Sequence, residues 1–421
     1  MTARRLLTIG GAMFRKDNNR LIRTLSKLLA DSPPDGARPV EADQLEQLLG
    51  VYYRHISPAD LEEHDPHDLL GALVAHWRLM RRRRPEEAVV RVYNPEQEEH
   101  GWRSNDTIVE VVAQDMPFLV DSISGALNRK GMTIRLTIHP VFGVSRDAKG
   151  ILTAVHETKN GEEVTSTEAV LRFHVDRQPL QMLAGLERLV SGVIADIKLA
   201  TSDWLKMKRQ AEKIQSELGS RAPQAACPDA DEVRAFLNWM INDHFLFIAT
   251  CRFDLQIDGE KGVLRLAGDS CLGVLRGGVE SGQRAEDWIS GLGVDLRAFH
   301  YDLVITKANA RSSIHRSAYM DCVAVKQRDQ QGEVVGLYCL IGLFSSGAYS
   351  TPPRQIPLLR KKVDEVFAAA KITPNSHSGR VVANILDNFP RDLLFQIGTK
   401  DLLSTTPVSY THLTLPTSAV A

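Results

Sequence analysis

The side chains with most scope for chemistry lie in one turn, Asp115-Met116-Pro117-Phe118, with Asp121 just beyond it. Upstream is an apolar run, Ile108 to Val112; downstream, Leu119, Ile123 and Leu127 fall on one helical face. The first N–H groups of a helix attract anions, so this turn is a candidate for holding the carboxylate of a small effector. Asp115 is expected to supply an N-cap oxygen, with Pro117 in the first helical turn, where its missing N–H would be unpaired anyway. A plain capped turn packed on its own sheet accounts for the same residues, and Phe118 fills space a ligand would use.

Other groupings are weaker. His64 and His67 with Glu62, Glu63, Asp65 and Asp68 have metal-ligand types, but acidic residues at a helix start are explained by the helix dipole. Ser345-Ser346-Gly347 with Ser350, Thr351 and Arg354 is either an anion cradle or an ordinary loop entering a helix, and the loop is favoured. Arg81 to Arg84 end a helix, where solvated cations suit the dipole better than a phosphate site. His139, beside Pro140, reads as a surface or edge residue. No GxGxxG after a strand, Walker loop, HExxH, EF-hand loop or GxSxG is present, so no catalytic, cofactor-binding or metal-ligating residue is assigned.

The elements that must position the turn can be read from periodicity. Ile108, Val109, Val111 and Val112 are apolar on both faces, as a central strand requires. After the helix, Gly131 is placed to take the left-handed closing conformation. Met132, Ile134, Leu136 and Ile138 alternate with polar residues, and Asp147 to Gly150 turns into Ile151 to Val155. This is strand–helix–strand–turn–strand, the front of an α+β sandwich. Helices are expected over 17–30, from Glu41 into Tyr53, and from Ser57-Pro58 and Asp65-Pro66. Strands at Ala88–Tyr93 and Ala169–Val175 complete the sheet, and a long helix runs from Pro179 towards Leu218. Gly219 to Glu232 is the best linker. Beyond it come a helix from Asp231 and strands at Phe245–Leu255, within Val263–Leu275, and at Leu303–Thr306, Met320–Lys326 and Val334–Phe344. Helices at Ile356–Ala370 and Gly379–Phe389 follow.

A length of 421 residues suggests about two or three domains. With 51 Lys and Arg against 52 Asp and Glu, no bulk charge favours nucleic acid or an anionic membrane. The five cysteines are odd in number and lack CxxC spacing, so they read as reduced, mostly buried residues of a cytosolic protein. The N-terminal arginines and apolar stretch do not make a signal peptide, and no window reaches membrane-spanning length. The expected location is cytoplasmic.

The segment DMPFLVDSISGALNRKGM resembles the first ACT-type module of the very large bacterial NAD-specific glutamate dehydrogenases. In such modules the turn between the first strand and helix lies near an amino-acid effector site, which here means Asp115, Met116, Pro117, Phe118 and Asp121. The usual turn has glycine after the proline; this chain has Phe118. GLFSSGAYSTPPRQIPLLRKKV and LDNFPRDLLFQI are similar, in order, to the PAS-type region that follows in the same enzymes. The resemblance reaches about Ile397. Val408 to Ala421 instead resembles translated sequencing-adapter sequence, so truncation near Leu403 is expected.

The reading is an α+β chain: an ACT-like β-α-β sandwich with flanking helices, then a second antiparallel α+β domain of PAS type. The expected parts are a helical segment (1–86), the ACT-like domain with its long C-terminal helix (87–218), a linker (219–230), the PAS-type domain (231–400) and a non-native tail (404–421). The resemblance implies a regulatory and assembly segment with no cofactor of its own. The full enzyme would use NAD to convert L-glutamate and water to 2-oxoglutarate and ammonium. Self-association into a homo-oligomer and an amino-acid effector are the implied partners, with no nucleic acid and no membrane. A stand-alone amino-acid-sensing ACT/PAS-type protein is the alternative.

Overall fold

The computed structural model describes residues 20–31, 39–156, 166–219, 230–258, 261–276, 284–290 and 302–404. The chain divides into two compact units, Met1–Lys198 with Ser313–Ser317, and Leu199–Ser312 with Ala318–Ala421. Each is α+β and built on an antiparallel sheet. The division falls inside a helix, α7 (Leu180–Gly219). Most of the expected linker at 219–230, and the suspect tail beyond Ser404, lie outside the described residues.

In the first unit, helices α1 (20–31), α2 (Pro39–Tyr52), α3 (Pro58–Glu62) and α4 (Pro66–Met80) precede the sheet. The two proline-started helices begin where the sequence placed them. Asp65 caps α4 by accepting from the His67 N–H at 2.8 Å, whereas the Ser57 side chain makes no cap bond to α3. The strands are β1 (Val89–Tyr93), β2 (Thr107–Gln114), β3 (Ile134–Ile138), β4 (Val141–Arg146), β5 (Leu152–His156) and β6 (Ser166–Val175); α5 (Gln97–His100) precedes β2 and α6 (Leu119–Arg129) follows it.

The sheet order is β1-β2-β6-β4-β5, with β3 also on β6. Strands β2 and β3 thus flank β6, with Val111 opposite Leu171 and Ile134 opposite Val175. This is the expected β-α-β unit with a third strand inserted between its two strands. Strands β3 and β4 share one side of β6 and are separated at His139-Pro140. The Pro140 carbonyl still accepts from the Val170 N–H at 3.0 Å, so the interruption loses little pairing. Gly131 takes φ +81°, and the Met132 N–H reaches back to the Leu127 carbonyl at 3.2 Å, the helix stop its sequence position implied.

One face of this sheet (Val112, Phe142, Val144, Val170) packs against Leu25, Leu49, Leu73 and Trp77 of α1, α2 and α4. The other face of β2 and β6 (Val109, Val111, Leu171, Phe173) is buried as well. Apolar side chains on both faces are what made Ile108–Val112 legible as a central strand.

The second unit takes its core from the C-terminal half of α7 (Met207, Ala211, Ile214) and from α8 (Ala230–Trp239). Its strands are β7 (Phe245–Asp258), β8 (Lys261–Leu266), β9 (Leu272–Gly273), β10 (Leu303–Arg311), β11 (Tyr319–Arg328) and β12 (Val334–Phe344). The order is β10-β11-β12-β7-β8, with β9 on β7. Helices α9 (Ala285–Trp288), α10 (Ser346–Ser350), α11 (Leu359–Ala369), α12 (His377–Asn388) and α13 (Arg391–Gln396) complete it. The β7–β12 register shifts at Gly342, where a Cβ would collide with the Leu246 carbonyl; only glycine lets the two backbones approach so closely.

Cys251, Cys322 and Cys339 are buried in this sheet as free thiols, and Cys271 is half-buried. Among the described residues, no helix is long and apolar enough to cross a membrane.

Candidate effector site

The turn after β2 departs from its expected geometry. Asp115 does not cap α6. Its N–H donates to the Thr167 carbonyl at 3.1 Å, which prolongs the β2–β6 ladder, and the helix begins only at Leu119. Pro117 is accordingly outside the helix. Phe118 makes the entry turn with φ 70° and ψ 4°, the left-handed region, where a bulky residue costs about 1–2 kcal/mol. Phe118 thus adopts a conformation that glycine takes without strain.

Phe118 is held from two sides. The Ser122 hydroxyl donates to its carbonyl at 2.6 Å and accepts from the His315 N–H at 2.9 Å. The His315 ring lies 5.2 Å from the Phe118 ring, and its Nδ1 is 3.5 Å from the Asp121 carboxylate. His315 belongs to the short stretch Ser313–Ser317 that clusters with the first unit.

A pocket of about 160 Å³ opens beside this turn, lined by Asp115, Met116, Phe118, Asp121, His139 and Val141 among others. Four of the five expected site residues therefore converge, and Pro117 does not line it. The pocket carries two carboxylates and the His139 imidazole. Leu119 and Val120, the first residues of α6, line it too. Phe118 and Leu119 close the apolar side.

The other sequence candidates are consumed structurally. Among the described residues no three metal-binding side chains converge, and His64 packs against the His174 ring, 5.8 Å away, instead of meeting His67. Ser345 donates to the Asp243 carbonyl, Ser350 and Thr351 donate to the Gly347 carbonyl, and Arg354 pairs with Asp364, which makes that loop self-contained. The arginine run is not uniformly solvated as expected. Arg83 is buried and donates to Glu168 at 2.6 and 2.9 Å, while Arg146 binds the same carboxylate at 2.8 Å. The helix ends at Met80, so Arg83 lies beyond it and turns in towards β6.

Sequence reasoning missed the densest polar site altogether. Glu110 on β2 and Arg172 on β6 face one another in register, both wholly buried. Glu110 also accepts from Arg91 (Nη2 at 2.5 Å, Nε at 3.0 Å) and from the Tyr93 hydroxyl at 3.2 Å. Arg172 donates to the Ala72 carbonyl of α4 and lies over the Tyr52 and Trp102 rings at 5.7 and 5.3 Å. The Tyr52 hydroxyl is 2.7 Å from His76 Nδ1.

Burial pushes the Glu110 carboxyl up, but the charges of Arg172, His76 and Arg91 outweigh it and hold it at about 2. Burial lowers His76 to about 3, which leaves it neutral near pH 7. Glu110, Arg172 and His76 are buried while Arg91 reaches the surface, and the Arg172 bond to the Ala72 carbonyl pins α4 to the sheet. The only sequence signal of this cluster was a charge at mid-strand in each of two apolar runs, IVEVVA and VLRFHV.

Residues 48–189 match the family model described as glutamate dehydrogenase, ACT1 domain, and residues 356–407 match glutamate dehydrogenase, helical motif 1. The chain is 32% identical over 373 residues to an NAD-specific glutamate dehydrogenase of Halomonas elongata, covering 87% of this chain and 23% of that protein. The enzyme of the same name from Pseudomonas aeruginosa is 32% identical over 383 residues, covering 90% of this chain and 23% of its own length. That from Mycobacterium tuberculosis is 30% identical over 339 residues, covering 79% and 19%. The chain thus spans less than a quarter of the relatives it matches.

Proposed function

We propose, from a chain that carries the ACT1 domain and helical motif 1 of the NAD-specific glutamate dehydrogenases, that it serves as the regulatory and assembly segment of such an enzyme. The whole enzyme would oxidise L-glutamate with NAD and water to 2-oxoglutarate, ammonium and NADH. NAD would bind outside the residues described here. The observation that carries this reading is the match of 48–189 to the ACT1 domain, on a sheet whose β2–α6 turn opens a pocket. An amino-acid effector is assigned to Asp115, Met116, Phe118 and Asp121, with Pro117 shaping the turn. Its coupling to catalysis would be a linkage between two sites.

The second unit, with its five-strand antiparallel path, is read as PAS-type. Copies of the chain are expected to associate, and a cytoplasmic location fits the buried free thiols.

The test has two arms. The purified chain, given L-glutamate and NAD, should form no NADH above background. Calorimetry with a panel of L-amino acids should give saturable binding that Asp121→Ala weakens. NADH formation by the chain alone, or silence across the whole panel, would each remove one half of the reading.

A further inference from the structure

A cavity of about 440 Å³ lies wholly within the second unit, beside strand β10. Leu303, Val304 and Ile305 all line it, three residues in succession. Side chains alternate between the two faces of a strand, so a space touched by consecutive residues lies along the strand's edge. Val233 of α8, Leu359 of α11 and Phe395 of α13 form its apolar wall.

That edge is open. Strand β10 ends the order of its sheet and, among the described residues, pairs with β11 alone. The Lys326 N–H donates to the Asp302 carbonyl at 2.8 Å, one step before the Leu303–Val325 pair. Asp302 and Lys326 are therefore a hydrogen-bonded pair of the antiparallel ladder, and bonded and non-bonded pairs alternate along it. Val304 thus turns its N–H and C=O to β11, while Leu303 and Ile305 turn theirs outward, along the cavity. Backbone donors and acceptors in strand spacing are a template for one more strand.

The charged groups around the cavity are engaged within the chain. Lys362 donates to the carbonyls of Leu394, Phe395 and Ile397 at 2.9, 3.1 and 2.7 Å. Glu232 accepts from Arg360 at 2.6 Å and from the Leu358 N–H at 3.0 Å, and Glu365 accepts from the Thr399 hydroxyl at 2.9 Å. Lys361 has a partner of its own. The wall therefore offers a ligand apolar surface and strand backbone, not charge.

We propose that the outer edge of β10 docks an extended, uncharged peptide segment of a partner protein. The segment adds antiparallel to β10, its backbone bonding to Leu303 and Ile305. Residues opposite these two share their face of the sheet, so alternate apolar side chains of the segment enter the cavity against Val233, Leu359 and Phe395. The site is separate from the Asp115 turn and stands without the dehydrogenase reading.

The probe is a blocked peptide, acetyl-Thr-Leu-Thr-Leu-Thr-amide, titrated into the full chain by calorimetry. It should saturate. Alanine in place of both leucines should weaken it about tenfold or more, through lost apolar burial. N-methylation of the two leucine amides, which removes the donors facing β10, should weaken it by about tenfold or more as well. Ile305→Pro deletes one outward N–H and no ladder bond, a change edge strands tolerate, and should weaken the leucine peptide by about tenfold. Asp115→Ala should leave its binding unchanged. Circular dichroism of each variant reports folding. Failure of the leucine peptide to bind the unmodified chain, or equal binding of its alanine or N-methylated form, would overturn the proposal. Self-association that Ile305→Pro abolishes in sedimentation equilibrium would assign the edge to a second copy and overturn it too.

Discussion

Glu110 and Arg172 sit directly opposite one another on β2 and β6, each with no solvent exposure, and form an ion pair inside the first unit. Removing Glu110 strands the Arg172 charge, and removing Arg172 leaves Glu110 with Arg91 as its remaining cation. Glu110→Gln or Arg172→Leu should therefore cost about 3–5 kcal/mol. The double variant Glu110→Leu/Arg172→Leu should cost less than the sum of the two single variants. Urea titrations of the four proteins measure the coupling; strict additivity would contradict it.

Acid should unfold this unit from an unusually high pH. The unfolded chain takes up a proton at His76 below about pH 6.5, but the folded chain does so only near 3, so stability falls as pH drops through that interval. Burial lowers His174 too, in the same direction. Glu110, held at about 2, contributes stability that is complete above its ordinary carboxylate pKa and is lost as pH falls towards 2. The urea midpoint should drop between about pH 7 and 5, where carboxylates hardly titrate. His76→Gln should shallow that slope; an unaltered slope would put the sensitivity elsewhere.

Two aspartates ahead of helices should behave differently. Asp65→Ala breaks a 2.8 Å cap bond and should cost about 1 kcal/mol. Asp115→Ala removes no cap, since α6 starts at Leu119 without a side-chain cap bond, and should leave the thermal midpoint nearly unmoved. Paired calorimetric melts decide it.

Phe118→Gly removes a half-buried ring but also relieves a left-handed backbone at φ 70°. Truncating an aromatic in a well-packed core costs about 3–5 kcal/mol. Here the loss should be about 1 kcal/mol or less, because the backbone term opposes it. A loss in the full core range would show that the ring's contact with His315 dominates.

Much of the first sheet was legible because its central strands are apolar on both faces and its helices begin at Ser57-Pro58 and Asp65-Pro66. The stop at Gly131 was equally plain, since only local chemistry sets it. The start of α6 was misplaced because the φ of Phe118 is fixed by Ser122 and His315, and the latter is 193 residues distant from Ser122 in the chain. The Glu110–Arg172 pair was invisible for the same reason: 62 residues separate two charges that only strand register brings together. The solvated reading of Arg81 to Arg84 failed at Arg83 because Glu168, its partner, lies 85 residues on. Periodicity reports which face is buried, not which charge meets which.

Strand β6 is the latest of its sheet to be synthesised, yet β2, β3 and β4 all pair with it. A nascent chain that has not yet exposed Val175 holds the β1–β2 and β4–β5 hairpins with no shared neighbour. The sheet of the first unit can therefore be completed only once its final strand is available. Its folding rate will be governed by loop closure between β2 and β6, and its hairpins stand with open edges on the ribosome until then.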